Sequence, residues 1–221
     1  MNRTGDIGIV DYGMGNLRSV SKALETLGFP VRVSGSPSDL SRCRGIVLPG
    51  VGAFRDCMEN LGRQGLLPFL EDVLQEGRPF LGICLGLQLL FSESEEFGRH
   101  EGIGFLPGKV VRFAAGMAGP DTAFGTASLK VPHMGWNRVE FTMDHPVLRG
   151  VPSGSYFYFV HSYYVRPDDP AIVACKTSYG VEFAAGVGKG NLLAVQFHPE
   201  KSQVAGLALL GNFGRMCREA A

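Results

Sequence analysis

Apolar and polar positions follow two different periods in the first half of the chain. Short apolar runs, such as residues 6–10, have the length expected of buried strands. Between these runs lie segments of helical period. In residues 16–27 the apolar side chains recur every three or four positions, and Gly28 follows as a helix stop. Because this alternation is typical of a parallel sheet covered by helices, the pattern predicts an α/β fold.

The same reasoning predicts the remaining regular elements. Further strands are expected at residues 30–34, 45–48, 79–83, 109–113, 131–141, 156–165, 172–176, 181–187 and 191–197, and further helices at 53–61, 66–75 and 85–91. The last two strands flank Gly188-Lys189-Gly190, whose glycines favour a hairpin.

Two segments complete the prediction. Residues 203–218 are expected to form an amphipathic helix, and the residues on its apolar side are Val204, Leu207, Leu210 and Phe213. Residues 114–128 are rich in small residues and have no clear period. We therefore expect a long surface loop at 114–128.

Length, composition and charge narrow the class of protein. With 221 residues, 45% of them hydrophobic and 19% charged, the chain can bury a sizeable core, and we expect one domain over residues 1–221. Its 21 basic and 21 acidic residues cancel and do not cluster, which argues against a nucleic-acid partner. No signal peptide or apolar run of membrane-spanning length is visible. The expected location is therefore the cytoplasm, without a membrane partner.

The five cysteines are widely spaced, without the spacing of a disulfide framework or a zinc site, and only Cys84 has surroundings that indicate reactivity. It is the centre of Gly82-Ile83-Cys84-Leu85-Gly86, between a predicted strand and a predicted helix. This is a cysteine version of the nucleophile elbow, with glycines where the sharp turn leaves no room for side chains. A helix N-terminus under the sulfur would favour the thiolate. Alternatively, the glycines serve an ordinary strand-to-helix turn.

A histidine and a carboxylate follow the last predicted strand, in Gln196-Phe197-His198-Pro199-Glu200. A cysteine nucleophile needs a base, and the base needs a group that orients it. Because Pro199 favours an extended backbone, the side chains of His198 and Glu200 are expected on one side. Cys84, His198 and Glu200 are therefore the candidate catalytic residues. The other four histidines are interpreted as ordinary loop or strand residues, and only His161, which Ser162 and Tyr163 follow, invites a functional interpretation.

A second glycine-rich turn, Pro49-Gly50-Val51-Gly52, follows the strand predicted at 45–48. Acyl chemistry on an amide needs donors for the developing oxyanion, and backbone N–H groups in such a turn are free to supply them. The N–H groups of Val51 and Leu85 are the expected oxyanion hole, with Gly50 and Gly52 on either side. The alternative is a plain strand-to-helix turn.

Together these motifs resemble the class I glutamine amidotransferases, which combine a Gly-x-Cys-x-Gly elbow with a later His-Pro-Glu. Within the family, the chain is similar over nearly its whole length to the glutaminase subunits of imidazole glycerol phosphate synthases. The segments that carry this closer similarity are Asp11-Tyr12-Gly13-Met14-Gly15-Asn16-Leu17, Pro49-Gly50-Val51-Gly52-Ala53-Phe54, Pro132-His133-Met134-Gly135-Trp136-Asn137 and His198-Pro199-Glu200-Lys201-Ser202. One departure is that residues 114–128 form a longer stretch than is expected before Pro132.

The resemblance implies a three-layer α/β/α sandwich with a mostly parallel central sheet. It makes Cys84 the nucleophile, His198 the base and acid, and Glu200 the orienting residue. The positions that match the family's glutamine pocket are Gly52, Gln88, His161, Ser162 and Tyr163, with Glu96 added for the ammonium group of the substrate. No metal or organic cofactor is expected.

The resemblance also implies a partner, a cyclase subunit with a (β/α)8 barrel that forms a heterodimer and receives ammonia from L-glutamine. The glutaminase elements run from residue 11 to residue 202, so we expect the ammonia acceptor to be another chain. Residues of the matching motifs without an evident role in hydrolysis are expected at the interface: Asn16, Met134, Trp136 and Lys201. Rival interpretations are a glutaminase that serves another synthase and a non-catalytic subunit, although the latter usually lacks one triad residue.

Overall fold

The computed structural model describes residues 4–122 and 125–220. Its strands are β1 (Thr4–Val10), β2 (Val31–Ser34), β3 (Cys43–Gly50), β4 (Phe80–Cys84), β5 (Phe91–Ser94), β6 (His100–Glu101), β7 (Leu106–Arg112), β8 (Ala118–Thr122), β9 (Gly125–Ser128), β10 (His133–Phe141), β11 (Ser155–His161), β12 (Tyr163–Pro167), β13 (Val173–Tyr179), β14 (Val181–Lys189) and β15 (Leu192–Val195). Its α-helices are α1 (Leu17–Thr26), α2 (Pro37–Leu40), α3 (Phe54–Arg63), α4 (Leu66–Gln75), α5 (Leu85–Gln88) and α6 (Gln203–Glu219).

Five strands form a parallel sheet in the order β2-β1-β3-β4-β15. Successive side chains of β3 point to opposite faces, so Val47 belongs to one apolar core while Ile46 and Leu48 belong to the other. Helices α1 and α6 contribute to the first core, and α2, α3 and α4 contribute to the second. Because helices cover both faces, the central strands β4 and β15 are buried throughout, whereas the edge strand β2 is only partly buried. The predicted three-layer α/β fold is confirmed.

Antiparallel strands extend the sheet beyond β15. Strand β14 pairs with β15 as the predicted hairpin, and β12 and β7 follow in the same sheet. Strand β14 also pairs with β13, which leads to β10 and β11. The single strand predicted at 156–165 is divided at Ser162, because β11 pairs with β10 whereas β12 pairs with β7 and β14.

The loop predicted at 114–128 is wrong in part, because β8 and β9 form a hairpin there. The part of that prediction that concerns residues 123 and 124 lies outside the described residues. At the base of the hairpin, the N–H of Leu129 donates to the carbonyl of Met117 at 2.8 Å, and Met117 lies beside Gly180. Hydrogen bonds between the two strands satisfy the backbone without any apolar period, so the sequence pattern did not indicate them.

The predicted apolar side of α6 is also partly wrong. Leu210 and Phe213 are buried, but Val204 is 82% exposed and Leu207 is 36% exposed. The helix packs instead through small residues. A Cβ at Gly206 would collide with the carbonyl of Pro199, and one at Gly214 would lie 2.5 Å from the ring of Phe29. Glycine allows these close approaches but adds nothing to a hydrophobic pattern.

Candidate active site

Cys84 is the last residue of the buried strand β4 and begins a sharp turn into α5. Its φ of 56° and ψ of −109° are unusual for a residue other than glycine. The flanking glycines make the turn possible. A Cβ at Gly86 would collide with the carbonyl of Leu48 on β3, and one at Gly82 would lie 2.9 Å from the carbonyl of Gly86. The structure therefore places Cys84 at a strained strand-to-helix turn, as the elbow motif predicts.

The helix after Cys84 is much shorter than predicted. It comprises only Leu85–Gln88, because the carbonyls of Leu89 and Leu90 accept hydrogen bonds from the N–H groups of Ile103 and Leu106 instead of continuing the helix. Pairing with a distant segment has overridden the local helical period. A helix of one turn has a small macrodipole, so the predicted contribution of α5 to thiolate stability is smaller than expected.

His198 and Glu200 follow strand β15 and are held together by a hydrogen bond. Nδ1 of His198 is 2.9 Å from Oε1 of Glu200, and both side chains are almost completely buried. Ser202 holds the backbone here, because its hydroxyl donates to the carbonyl of His198 at 2.6 Å and accepts from the N–H of Tyr158 at 3.0 Å. These contacts leave Nε2 of His198 as the nitrogen available for chemistry.

Two neighbours determine the protonation of His198. Burial lowers its pKa, but the interactions with Cys84 and Glu200 outweigh burial and raise the pKa to about 10. His198 is therefore an imidazolium at neutral pH. Among the described residues, its Nε2 has no hydrogen-bond partner, and the side chain lines the same cavity as Cys84.

A cavity of about 430 Å³ contains these groups. Its lining residues are Val51, Gly52, Cys84, Leu85, Gln88, Glu96, Pro132, Val160, His161, Ser162, Tyr163 and His198. The structure thus brings together Cys84, His198 and every residue predicted for the glutamine pocket. Gly50 is not part of the lining.

The predicted oxyanion turn packs closely against the elbow. A Cβ at Gly50 would lie 2.8 Å from both the Tyr12 hydroxyl and Cβ of Leu85, so only glycine allows the two turns to approach. Gly52 has a φ of +97°, which favours glycine. Val51 is 40% exposed at the mouth of the cavity. Val51 and Gly52 of this turn therefore line the same cavity as Cys84.

Two polar residues of the pocket are already engaged by the protein. Oε2 of Glu96 accepts from the N–H of Phe54 at 2.6 Å, at the start of α3. Nε2 of Gln88 donates to the carbonyl of Tyr163 at 3.1 Å and to Oε1 of Gln196 at 3.0 Å. Each side chain keeps one oxygen for which no hydrogen bond to the described residues is seen, so each can accept a further hydrogen bond.

His161 forms a hydrogen-bonded pair with His133. Nδ1 of His161 lies 2.8 Å from the carbonyl of Tyr163, and its Nε2 lies 2.9 Å from Nδ1 of His133. Burial lowers the pKa of His161 to about 3 and that of His133 to about 4, so both rings are neutral. Because a carbonyl only accepts, Nδ1 of His161 carries a hydrogen and its Nε2 accepts from His133.

Sequence reasoning missed three residues of this site: His133, Gln196 and Ser202. His133 and Gln196 lie inside motifs that the sequence singled out, but neither was assigned a role. The alternation of side chains along a strand could have identified Gln196. Gln196 is two residues before His198, so both side chains are expected on the same side. Ser202 also lies inside a family-like segment, His198-Pro199-Glu200-Lys201-Ser202, but nothing in that segment indicated that its hydroxyl holds the backbone of His198.

The predicted interface residues lie on the surface. Met134 is 61% exposed and Trp136 is 46% exposed on the outward face of β10, and the Trp136 ring lies 6.1 Å from that of Tyr158. Nζ of Lys201 is 5.8 Å from the centre of the Tyr158 ring, so these side chains form one surface. Asn16 lies apart, in the loop before α1.

No group of three His, Cys, Asp or Glu side chains in residues 4–122 and 125–220 could hold a metal ion. Over the same described ranges, no helix is both long and apolar enough to cross a membrane. The five cysteines are free thiols.

Known proteins resemble this chain at the level of sequence. The family described as "Glutamine amidotransferase class-I" matches residues 8–216. A protein of Moorella thermoacetica, the imidazole glycerol phosphate synthase subunit HisH, is 51% identical over 214 residues, which are 97% of this chain and 96% of that protein. The protein of the same name from Syntrophotalea carbinolica is 53% identical over 209 residues, covering 94% of this chain and 98% of the relative.

Solved structures show the same fold at low sequence identity. A crystal structure of a glutamine amidotransferase has a TM-score of 0.70 at 20% identity, covering 96% of this chain and 98% of that one. The structure of PurLQS from Thermotoga maritima also has a TM-score of 0.70, at 18% identity, covering 98% of both chains.

Proposed function

Because the chain belongs to the class-I glutamine amidotransferase family, we propose that it is the glutaminase subunit of an imidazole glycerol phosphate synthase. It hydrolyses L-glutamine to glutamate and supplies the ammonia to a cyclase subunit in histidine biosynthesis. One observation carries this proposal. A single cavity combines Cys84, His198 and the predicted glutamine-binding residues in a chain about half identical to subunits of that name.

Cys84 is the nucleophile in this proposal. The imidazolium of His198 stabilises the thiolate, which attacks the side-chain carbonyl carbon of glutamine. The carbonyl oxygen becomes an oxyanion, and the N–H groups of Leu85 and Val51 donate hydrogen bonds to it. Glycines at positions 50 and 52 allow the Val51 peptide to lie close enough to the elbow.

His198 acts first as an acid and then as a base. Nε2 gives its proton to the departing nitrogen, which leaves as ammonia while a glutamyl thioester remains on Cys84. Neutral His198 then takes a proton from the water that attacks the thioester. The carbon–sulfur bond breaks, the sulfur leaves as thiolate, and glutamate is released. Glu200 holds Nδ1 at 2.9 Å throughout and so keeps Nε2 available.

The pocket matches the rest of the glutamine molecule. The carboxylate of Glu96 pairs with the α-ammonium group through the oxygen that does not contact Phe54. Ser162 and Tyr163, at the break between β11 and β12, provide backbone groups for the α-carboxylate. Because the N–H groups of Gln88 are already used, its oxygen accepts a hydrogen bond from the substrate amide.

The ammonia acceptor is a cyclase subunit with a (β/α)8 barrel, bound as a heterodimer. Met134, Trp136 and Lys201 form the surface that supports this proposal, because exposed apolar and aromatic side chains are typical of the centre of an interface. Strand β10 connects the surface to the pocket, since Met134 lies opposite Val160, which lines the cavity. Asn16 would extend the contact toward the oxyanion turn, because its neighbour Gly15 lies beside Pro49.

The proposed function is tested by measuring glutamine hydrolysis with and without the cyclase. The cyclase is used both alone and with the ribotide that it binds as its own substrate. We expect hydrolysis that is stimulated by the liganded cyclase and that is abolished by Cys84→Ala. Stimulated hydrolysis that survives in the variant would refute the role of Cys84. Wild-type protein that hydrolyses no glutamine with the liganded cyclase would refute the glutaminase function.

A further inference from the structure

The side-chain amide of Gln196 is completely buried and lies against the sulfur of Cys84. Its Nε2 is 3.7 Å from Sγ, within hydrogen-bonding range for sulfur, and its Oε1 is 3.0 Å from Nε2 of Gln88. The oxygen and the NH₂ group of an amide are similar in size and shape. The orientation of the Gln196 amide is therefore decided by its hydrogen bonds.

A backbone carbonyl determines that orientation. The carbonyl of Tyr163 can only accept, so Gln88 must direct its NH₂ group toward it. The second hydrogen of that NH₂ group then points to Gln196, which must present its oxygen. A rotated Gln196 amide would place two NH₂ groups against each other. The NH₂ group of Gln196 therefore faces the sulfur.

We propose that Gln196 is a further catalytic residue, which donates a hydrogen bond to the sulfur of Cys84, and that Gln88 is the positioning residue that fixes the direction of this bond. The proposal rests on the proposed role of Cys84 as nucleophile. It assigns a donor to the sulfur itself, separate from the oxyanion hole, whose donors bind the substrate oxygen.

The donor acts at the two points where the sulfur carries negative charge. Before attack, it stabilises the thiolate together with the imidazolium of His198. After water has attacked the thioester, the carbon–sulfur bond breaks and its electron pair leaves with the sulfur. Gln196 donates to this departing thiolate, while the proton of the water resides on His198. In the thioester the sulfur is neutral, so the hydrogen bond is weaker there.

A structural role for Gln196 makes a different prediction from a catalytic one. If the amide served only to satisfy Gln88, its loss would lower stability or glutamine affinity and leave the ionisation of the sulfur unchanged. Alkylation of Cys84 by iodoacetamide as a function of pH measures that ionisation directly, and it requires neither glutamine nor the cyclase.

The test compares wild type with Gln196→Met, which keeps the length of the side chain and removes the donor. We expect the midpoint of the alkylation profile to move up by about one pH unit, which is about a tenfold slower reaction below the midpoint. With the cyclase present, we expect kcat to fall about tenfold while KM changes less than twofold. The matched control is Gln75→Met on the exposed side of α4, which should behave as wild type.

A second variant keeps Gln196 and removes the group that orients its amide. In Gln88→Met no NH₂ group faces Gln196, so its amide is free to present either the NH₂ group or the oxygen to the sulfur. A smaller upward shift of the alkylation profile is expected. An unchanged profile in both folded variants would overturn the proposal. If wild type hydrolyses no glutamine although its Cys84 is alkylated normally, the proposed function fails instead.

Discussion

At the scale of single residues, the protonation state of His198 depends on its electrostatic interactions with Cys84 and Glu200. His198 has a pKa of about 10, above its ordinary value of about 6.5, because the interactions with Cys84 and Glu200 outweigh burial. The imidazolium is therefore present throughout the neutral range and is lost as pH rises through about 10. The catalytic proton is available at the pH of the cell.

This protonation predicts the pH dependence of glutamine hydrolysis. We expect kcat/KM of the complex with the cyclase to fall on the alkaline side near pH 10. Glu200→Gln removes one cause of the raised pKa of His198, so the alkaline fall should move to lower pH. We also expect kcat to decrease on the order of 100-fold, because the acid is less well oriented. Exposed Glu219→Gln is the control, and coincident profiles for Glu200→Gln and wild type would contradict this explanation.

Thiol labelling is the second prediction at this scale. Burial raises the pKa of Cys57 to about 11, and it raises the pKa values of Cys43, Cys175 and Cys217 as well. Each of these four side chains is fully buried. We expect iodoacetamide at neutral pH to modify one cysteine per chain, and peptide mass mapping should identify it as Cys84. Comparable labelling of any other cysteine, or labelling that persists in Cys84→Ala, would contradict the prediction.

At the scale of elements, the elbow depends on the close contact between α5 and β3. Gly86→Ala should destabilise the fold by about 3 kcal/mol, because the added Cβ collides with the carbonyl of Leu48 and must displace backbone. Urea unfolding measures this change. Gly62→Ala in α3 is the matched control, since its Cβ would meet only Leu67 at 3.7 Å. We expect no loss of stability for the control, and a similarly small effect of Gly86→Ala would show that the contact is not required.

The elements that sequence could predict are those whose pattern follows from burial. Strands such as β3 and β4 are apolar on both faces, and α4 has the bounds predicted for it. The helix expected at 85–91 and the loop expected at 114–128 were wrong in part, because backbone pairing determined residues 91–94, 118–122 and 125–128. In α6, glycines determine which face packs against the protein, and a hydrophobic pattern does not reveal the position of a packed glycine.

At the scale of the whole molecule, separate segments of sequence converge on one cavity. Predicting that Cys84 and His198 come together was possible because each lies in a recognisable motif after a predicted strand, whereas Gln88 and His161 were predicted only from the resemblance to the family. Hydrogen bonds between side chains that are far apart in sequence, such as that between Gln88 and Gln196, could be identified only in the folded structure. That residues 1–221 form one domain stays a prediction, as does the cytoplasmic location.

The last prediction concerns the proposed docking surface for the cyclase. Trp136 is half-exposed and packs against Tyr158, and both are residue types that often dominate binding energy. Lys201 lies over the same Tyr158 ring and adds a positive charge to the surface. We expect Trp136→Ala to weaken cyclase binding at least about tenfold, equivalent to about 1.4 kcal/mol. Lys201→Ala should lower the stimulation of hydrolysis, and this effect should diminish at high salt. Titration calorimetry and stimulated turnover measure the two effects.

Val33→Ala provides the control for this surface, because Val33 is similarly exposed but lies on β2, at one edge of the sheet. Thermal unfolding of each variant shows whether the fold is intact. Unchanged affinity and unchanged stimulation in folded Trp136→Ala and Lys201→Ala would place the cyclase elsewhere. Strand β10 pairs with β11 at Val160, which lines the cavity. A loss of affinity and stimulation in the two variants, but not in Val33→Ala, would therefore support transmission of partner binding to the glutamine pocket through β10.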